Sequence, residues 1–370
     1  MKIGYDAKRL FHNKTGLGNY SRDLIRILAH FYPENSYILY NPKPKKIDRI
    51  PIDGATIIEK LPLKKSHKKF SSLWRLLKIV PQIKDDGIAI FHGLSGEIPI
   101  GLKKSGVKTV VTIHDLIFMR YPDLYSFFDR KIHYYKFKYA AKKADLVIAI
   151  SEQTKKDIVT YLKINPIKIK VIYQGCNAVF KTESSDDEKN ELRHKYGLPE
   201  KFILNVGTIE KRKNLMSIIK SISDNQIPLV VVGKKTKYFN QVNQYISDNN
   251  LQNKVYFLNG LSLEELAALY QIATIFVYPS IFEGFGIPII EALYSKIPVI
   301  CSKGSCFSEA GGAHSLYVNT NSVGELKVAI ESLWNNEQRR YQIIRDGFQF
   351  VQKFNDSEIA KNWGELYQNL

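Results

Sequence analysis

"TIFVYPSIFEGFGIPIIEAL", residues 274–293, joins a short β-branched and aromatic run to an apolar helical stretch through a loop holding two glycines. "TIFVY" has the composition of a strand buried on both faces. Pro288 suits the first turn of a helix, where its missing N–H has no partner to lose. A strand feeding straight into a helix is the unit from which helix-covered parallel sheets are built. Glu283 then falls in the strand-to-helix loop, and Glu291 lies eight positions on, inside the helix.

The same pattern repeats outward from this unit. The first half carries the strand-like runs "KIGYD", "SYILY", "IAIFHG", "KTVVTIHD", "DLVIAIS" and "IKVIY"; the second half carries "KFILNVG", "IPLVVVG", "KVYFL", "TIFVY" and "IPVICS". Helical periodicity separates them over 18–31, 151–162, 238–249 and 262–272. The chain therefore reads as α/β, with two Rossmann-like domains whose parallel sheets face an inter-domain cleft. The domains are expected over 1–175 and 176–354, with a C-terminal helix, 355–370, completing the first.

Charge separates the halves. Residues 1–180 hold 33 Lys and Arg against 15 Asp and Glu, a net of +18, whereas 181–370 hold 21 of each. A basic domain beside a neutral one points to an anionic partner for the first. Three cysteines without metal-ligand spacing read as free thiols in a reducing cytosol. The first residues lack the apolar run of a signal peptide, and no stretch of about twenty apolar residues suggests a membrane span.

Several motifs could carry chemistry. "KTGLGNY" (14–20) places Gly16 and Gly18 where a first helix opens, so backbone N–H groups could approach a phosphate; a plain tight turn explains the pair equally well. "VTIHDLIF" puts His114 at a strand's carboxyl end, as a core histidine or as a ligand to substrate. "LNVGTIEKRKNL" (204–215) ends a strand at Gly207 and sets Arg212 and Lys213 before a helix. Cations there oppose the helix dipole, which suggests that they hold an anion, although a solvated charged turn has the same composition. No phosphate loop of the Walker type, no Asp-x-Asp pair, no Gly-x-Ser-x-Gly elbow and no zinc-spaced His/Cys set occurs.

Taken together, "TGLGNY", "VTIHD", "ISEQTKKDI", "GTIEKRKN", "LSLEELAALYQIA" and "FVYPSIFEGFGIPIIEAL" resemble, in order, the retaining glycosyltransferases of family 4. That family has the GT-B fold, and the mannosyltransferase-type enzymes of bacterial polysaccharide assembly are nearest in motif. The resemblance implies that Glu291 binds the ribose of a GDP- or UDP-linked sugar. Glu283, Gly284, Phe285 and Gly286 would hold the transferred sugar. Arg212 and Lys213, with backbone N–H groups near Ile287, would hold the diphosphate without a metal or other cofactor. By the same resemblance Gly207 would line this site, Leu261 would lie near the nucleobase, and His114, Gly16 and Gly18 would complete it from the first domain. The product expected is a retained glycoside on a glycan or a polyprenyl-diphosphate-linked acceptor. A nucleotide-sugar epimerase shares the fold but not the paired glutamates. A nucleic-acid-binding protein would explain the charge but not the Gly-Phe-Gly loop, so no nucleic acid is expected.

"KKSHKKFSSLWRLLKIV" (64–80) combines six Lys and Arg with Phe70, Leu73, Trp74 and Leu77, which would share one face of a helix. Lys64, Lys65, Lys68, Lys69 and Trp74 are therefore expected at an anionic membrane surface or at the acceptor. The location expected is cytoplasmic, peripheral on the inner face of the cell membrane.

Overall fold

The computed structural model describes residues 1–13, 15–44, 56–64 and 69–370. The chain divides into a first unit of Met1–Gly175 with Phe354–Leu370 and a second of Cys176–Lys353. Phe354 falls in the first unit, where its ring is edge-to-face with that of Tyr173, the centroids 5.7 Å apart.

In the first unit β1 (Lys2–Asp6), β2 (Ser36–Tyr40), β3 (Ile57–Lys60), β4 (Ile90–Gly93), β5 (Lys108–Ile113), β6 (Leu146–Ala149) and β7 (Ile169–Val171) form one sheet. Its order is β3-β2-β1-β4-β5-β6-β7, with every pairing parallel. All carboxyl ends therefore share one edge, and the winding reverses between β1 and β4. One core joins Ile3 and Tyr5 to Leu24 and Leu28 of the Gly16–Phe31 helix and to Trp363 and Tyr367 of the C-terminal helix, Asp356–Gln368. A second core joins Val111 and Val147 to Ala140 and Ala141 of the Phe127–Lys143 helix. His92 is locked inside by Tyr367 Oη and Thr112 Oγ1, each 2.8 Å from a ring nitrogen.

In the second unit β8 (Ile203–Val206), β9 (Leu229–Val232), β10 (Val255–Leu258), β11 (Ile275–Tyr278), β12 (Val299–Ser302) and β13 (Leu316–Val318) pair in parallel in the order β10-β9-β8-β11-β12-β13. Here the reversal falls between β8 and β11. Capping residues fix the helix starts: Ser262 and Glu265 satisfy each other's backbone N–H groups at the head of Leu263–Ile272, as do Ser185 and Glu188 at Asp186–Tyr196.

The 64–80 stretch departs from the expected helix. Lys65 and Lys68 lie outside the described residues, while Lys64 and Lys69 are exposed. A short turn, Ser71–Leu73, runs into a wider π-helical turn, Trp74–Lys78, before a new helix opens at Val80–Asp85 with Pro81 in its first turn. The π turn begins at Trp74, whose N–H still bonds the Phe70 carbonyl at 3.0 Å, so the helical register is lost only beyond it. Trp74 is 1% exposed and packs with Tyr40, Ile79 and Ile83, so it cannot enter a membrane. Arg75 is also buried, ion-paired to both Asp6 and Glu97. Phe70, Leu73 and Leu77 remain exposed.

Candidate functional site

The second sheet's reversal point gathers the charged residues. β8 is followed directly by Gly207, whose Cα lies beside the Lys213 stem: a Cβ there would sit 3.7 Å from Lys213 Cδ. A 3-10 turn, Lys211–Lys213, follows, and then the Leu215–Ser221 helix. From the neighbouring strand β11 the chain passes through Glu283 to Gly286, at φ +114°, and into the Ile287–Tyr294 helix. Only glycine adopts that conformation without strain, and it lets the loop turn sharply into the helix.

Lys213 Nζ lies 2.6 Å and Arg212 Nη1 2.8 Å from the same oxygen, Glu283 Oε1. Arg212 Nη2 also bonds Glu210 Oε1 at 2.7 Å, and its Nη1 donates to the Phe282 carbonyl at 2.5 Å. Burial pushes the Glu283 carboxyl up, but the two cations outweigh it and hold its pKa at about 2. For Lys213 burial favours the neutral amine, and Glu283 reverses this, raising the pKa above the usual range. Lys213 Nζ also donates to Tyr278 Oη at 2.8 Å. Burial, helped by Glu283, pushes that phenol up to about 12. The arrangement is a pair of fixed positive charges beside a helix N-terminus, which can bind and stabilise phosphate oxygens.

One helical turn on, Glu291 Oε2 accepts from Tyr270 Oη at 3.0 Å. Cys306 Sγ lies 2.9 Å from the Phe285 carbonyl and 3.2 Å from that of Glu283, so its one proton pins this loop. The sequence does not mark Tyr270, Tyr278 or Glu210 as site residues, and it presents Cys306 only as one of three free thiols. Glu210 alone left a signal there, standing two positions before Arg212. Leu261 follows β10, the edge strand, and lies two strands from β8.

In the first unit the carboxyl edge forms a cavity of about 160 Å³ whose lining includes Arg9, Glu97, His114, Asp115, His133 and Phe137. The Gly16–Phe31 helix contributes Leu17 to the same wall. The two glycines of its opening differ in role. A Cβ at Gly18 would meet the Asn13 carbonyl oxygen at 1.9 Å, so close approach of the preceding loop requires glycine; at Gly16 it would meet nothing within 4 Å. His114 Nε2 lies 2.8 Å from the Leu94 carbonyl, which can only accept, so that nitrogen carries the proton. Burial lowers the pKa of His114 to about 4, leaving a neutral ring whose Nδ1 can accept from a hydroxyl.

Two parallel Rossmann-like sheets, of seven and six strands among the described residues, make this an α/β protein of the GT-B class. Residues 15–179 match the family model "Glycosyltransferase Family 4", and residues 188–350 match "Glycosyl transferases group 1". Both units of the chain are therefore similar to glycosyltransferases, the first to those of family 4. It is 34% identical over 225 residues to the O-antigen chain mannosyltransferase RfbU of Salmonella typhimurium, a match spanning 60% of each chain. With O-antigen chain mannosyltransferase B of Escherichia coli it is 25% identical over 93% of its own length and 94% of the relative's. Among solved structures, sucrose-phosphate synthase of Thermosynechococcus elongatus superposes with TM-score 0.80 at 22% identity, over 100% of this chain and 98% of that one. HepE of Anabaena, solved with UDP and glucose, gives 0.78 at 18%, each chain being covered fully.

Proposed function

We propose that the chain transfers mannose or a related hexose from a GDP- or UDP-linked donor to a glycan or polyprenyl-diphosphate-linked acceptor in cell-surface polysaccharide synthesis. The observation that carries this reading is the convergence of Lys213 and Arg212 on Glu283 beside the N-terminus of the Ile287–Tyr294 helix. The mannosyltransferase relatives support the choice of sugar.

In this reading Arg212 and Lys213 hold the donor diphosphate and stabilise the negative charge that grows as the bond between sugar carbon and phosphate oxygen breaks. Their charge takes the part that a divalent ion plays elsewhere. Glu291, oriented by Tyr270, accepts hydrogen bonds from the ribose hydroxyls. Glu283 and the Gly284–Gly286 backbone orient the sugar, and His114 Nδ1 accepts from a sugar hydroxyl. The acceptor oxygen attacks the face from which the diphosphate leaves, and a phosphate oxygen takes its proton, so configuration is retained. A retaining glycosidase instead needs two carboxylates about 5 Å apart across the scissile bond. Here Glu283 is bound to two cations and Glu291 to a phenol, which suits binding better than nucleophilic attack. The enzyme would work on the inner face of the cell membrane.

A donor-hydrolysis screen across GDP- and UDP-sugars, with excess EDTA throughout, tests the proposal. Slow release of sugar with retained configuration from one donor class is expected. Hydrolysis of none, or activity restored only by magnesium or manganese, would overturn the reading or its metal-free form respectively.

A further inference from the structure

The Phe127–Lys143 helix is apolar on two sides, and the fold uses one. Its inner side sends Phe137, Ala140 and Ala141 into the core beside β5 and β6. Its outer side holds Phe128, Ile132 and Tyr135, at positions i, i+4 and i+7 of one helical stripe, which are 77%, 52% and 63% exposed. Phe127 and Leu124 extend the patch towards the N-terminus, both exposed. Scattered apolar side chains need no explanation, but a contiguous stripe on one helix does. Over residues 122–143 there are six Lys and Arg against two acids. Lys131, Lys138 and Lys142 fall beside the stripe at helical spacing.

We propose that this face is the protein's docking surface for an anionic phospholipid bilayer. Aromatic and branched side chains that enter the headgroup boundary, rimmed by lysines that meet lipid phosphates, match an interfacial helix. A nucleic acid would satisfy the lysines but leave Phe128 and Ile132 in water. The exposed Phe70, Leu73 and Leu77 belong to the same neighbourhood: Arg75 of their segment and Lys136 of the helix both bind Glu97, the latter at 3.1 Å. Glu97 also lines the cavity that holds His114, as does Tyr125 just before the helix. Resting on the transferase reading for its chemistry, the docking surface brings that cavity to the bilayer and selects an acceptor carried by a membrane lipid.

Co-sedimentation with vesicles of phosphatidylglycerol and phosphatidylethanolamine, against vesicles of phosphatidylcholine alone, tests the surface. Wild type should pellet with the anionic vesicles at low salt and be released by high salt. The double variant Phe128→Glu/Ile132→Glu should lose about tenfold or more in binding, with unchanged thermal melting and unchanged donor hydrolysis. Lys131→Glu/Lys138→Glu/Lys142→Glu should abolish the salt-sensitive part. Wild type left in the supernatant, or double-variant binding equal to wild type, overturns the proposal. So does a wild-type dimer that the double variant dissolves in the absence of vesicle binding, which would assign the face to a second copy of the chain. Donor hydrolysis separates the two readings. Hydrolysis without vesicle binding sinks only the docking surface, and vesicle binding without hydrolysis sinks only the transferase.

Discussion

Lys213 and Glu283, 70 positions apart in the chain, meet with 2.6 Å between Nζ and Oε1. Arg212 shares that oxygen, so a ligand-free site already contains an anion for its cations. In the proposed reading an incoming diphosphate would compete with Glu283 for both.

Replacing either cation therefore leaves Glu283 with one partner and the fold intact. Lys213→Ala and Arg212→Ala should each reduce turnover about 10²-fold or more, the cost of losing one charge-stabilising donor, about 3–4 kcal/mol. Steady-state rates beside thermal melting check this. Near-normal turnover in either variant removes that residue from the diphosphate site.

Glu283→Gln does the reverse and leaves two cations sharing an uncharged neighbour. The ligand-free protein should lose about 3–5 kcal/mol, and inorganic pyrophosphate should raise its melting temperature more than that of wild type. The carboxyl's pKa of about 2 lies below its unfolded value of about 4.3. Its stabilisation is present above that unfolded value and disappears as pH falls through about 2. Acid titration should show this loss in wild type and not in the variant.

The buried histidines act at milder pH. Burial lowers His92 to about 3 and His114 to about 4, both below the unfolded value of about 6.5. Between those limits the unfolded chain binds more protons, so stability should fall as pH drops from about 6.5 towards 4. His92→Gln should flatten that slope in a series of chemical denaturations. Because His114 stays neutral from pH 5 to 8, donor hydrolysis should show no inflection belonging to it in that range. An inflection abolished by His114→Asn would contradict the assignment.

Tyr270→Phe removes the donor that holds one oxygen of Glu291 and changes nothing else in shape. A hydrogen bond to a charged group contributes about 1.5–3 kcal/mol. KM for the nucleotide sugar should rise about tenfold while kcat changes little. The preference for the nucleoside diphosphate over its 2′-deoxy form should narrow. A fall in kcat at constant KM would place Tyr270 elsewhere in the mechanism.

The sequence carried the sheets well because buried parallel strands are continuous apolar runs. Each of the eleven quoted stretches contains a strand. The two that escaped, β3 and β13, are edge strands: "IIEK" carries Glu59 and Lys60, and "LYV" is only three residues long. At the site Arg212, Lys213 and Glu283 stood out because charged residues in loops between apolar elements have few structural reasons to be there. Tyr270 and Tyr278 did not, since a tyrosine in a buried helix or strand looks like core until its hydroxyl finds a partner in three dimensions. Trp74 misled for a related reason: helical spacing assigned it to the face of Phe70 and Leu73, but its ring packs on Tyr40, Ile79 and Ile83, contacts that only the folded chain reveals.

The return of Asp356–Gln368 to the first unit sets an order of assembly on the ribosome. Residues 1–175 emerge before the second unit, yet Trp363 and Tyr367, which cover Tyr5 and His92, emerge after it. The second unit, by contrast, is continuous over Cys176–Lys353 and can close its core while the first still waits. A nascent chain stopped anywhere between residues 175 and 356 therefore exposes an aromatic face of the first unit's sheet, and chaperones would meet that face for as long as the second unit takes to be made.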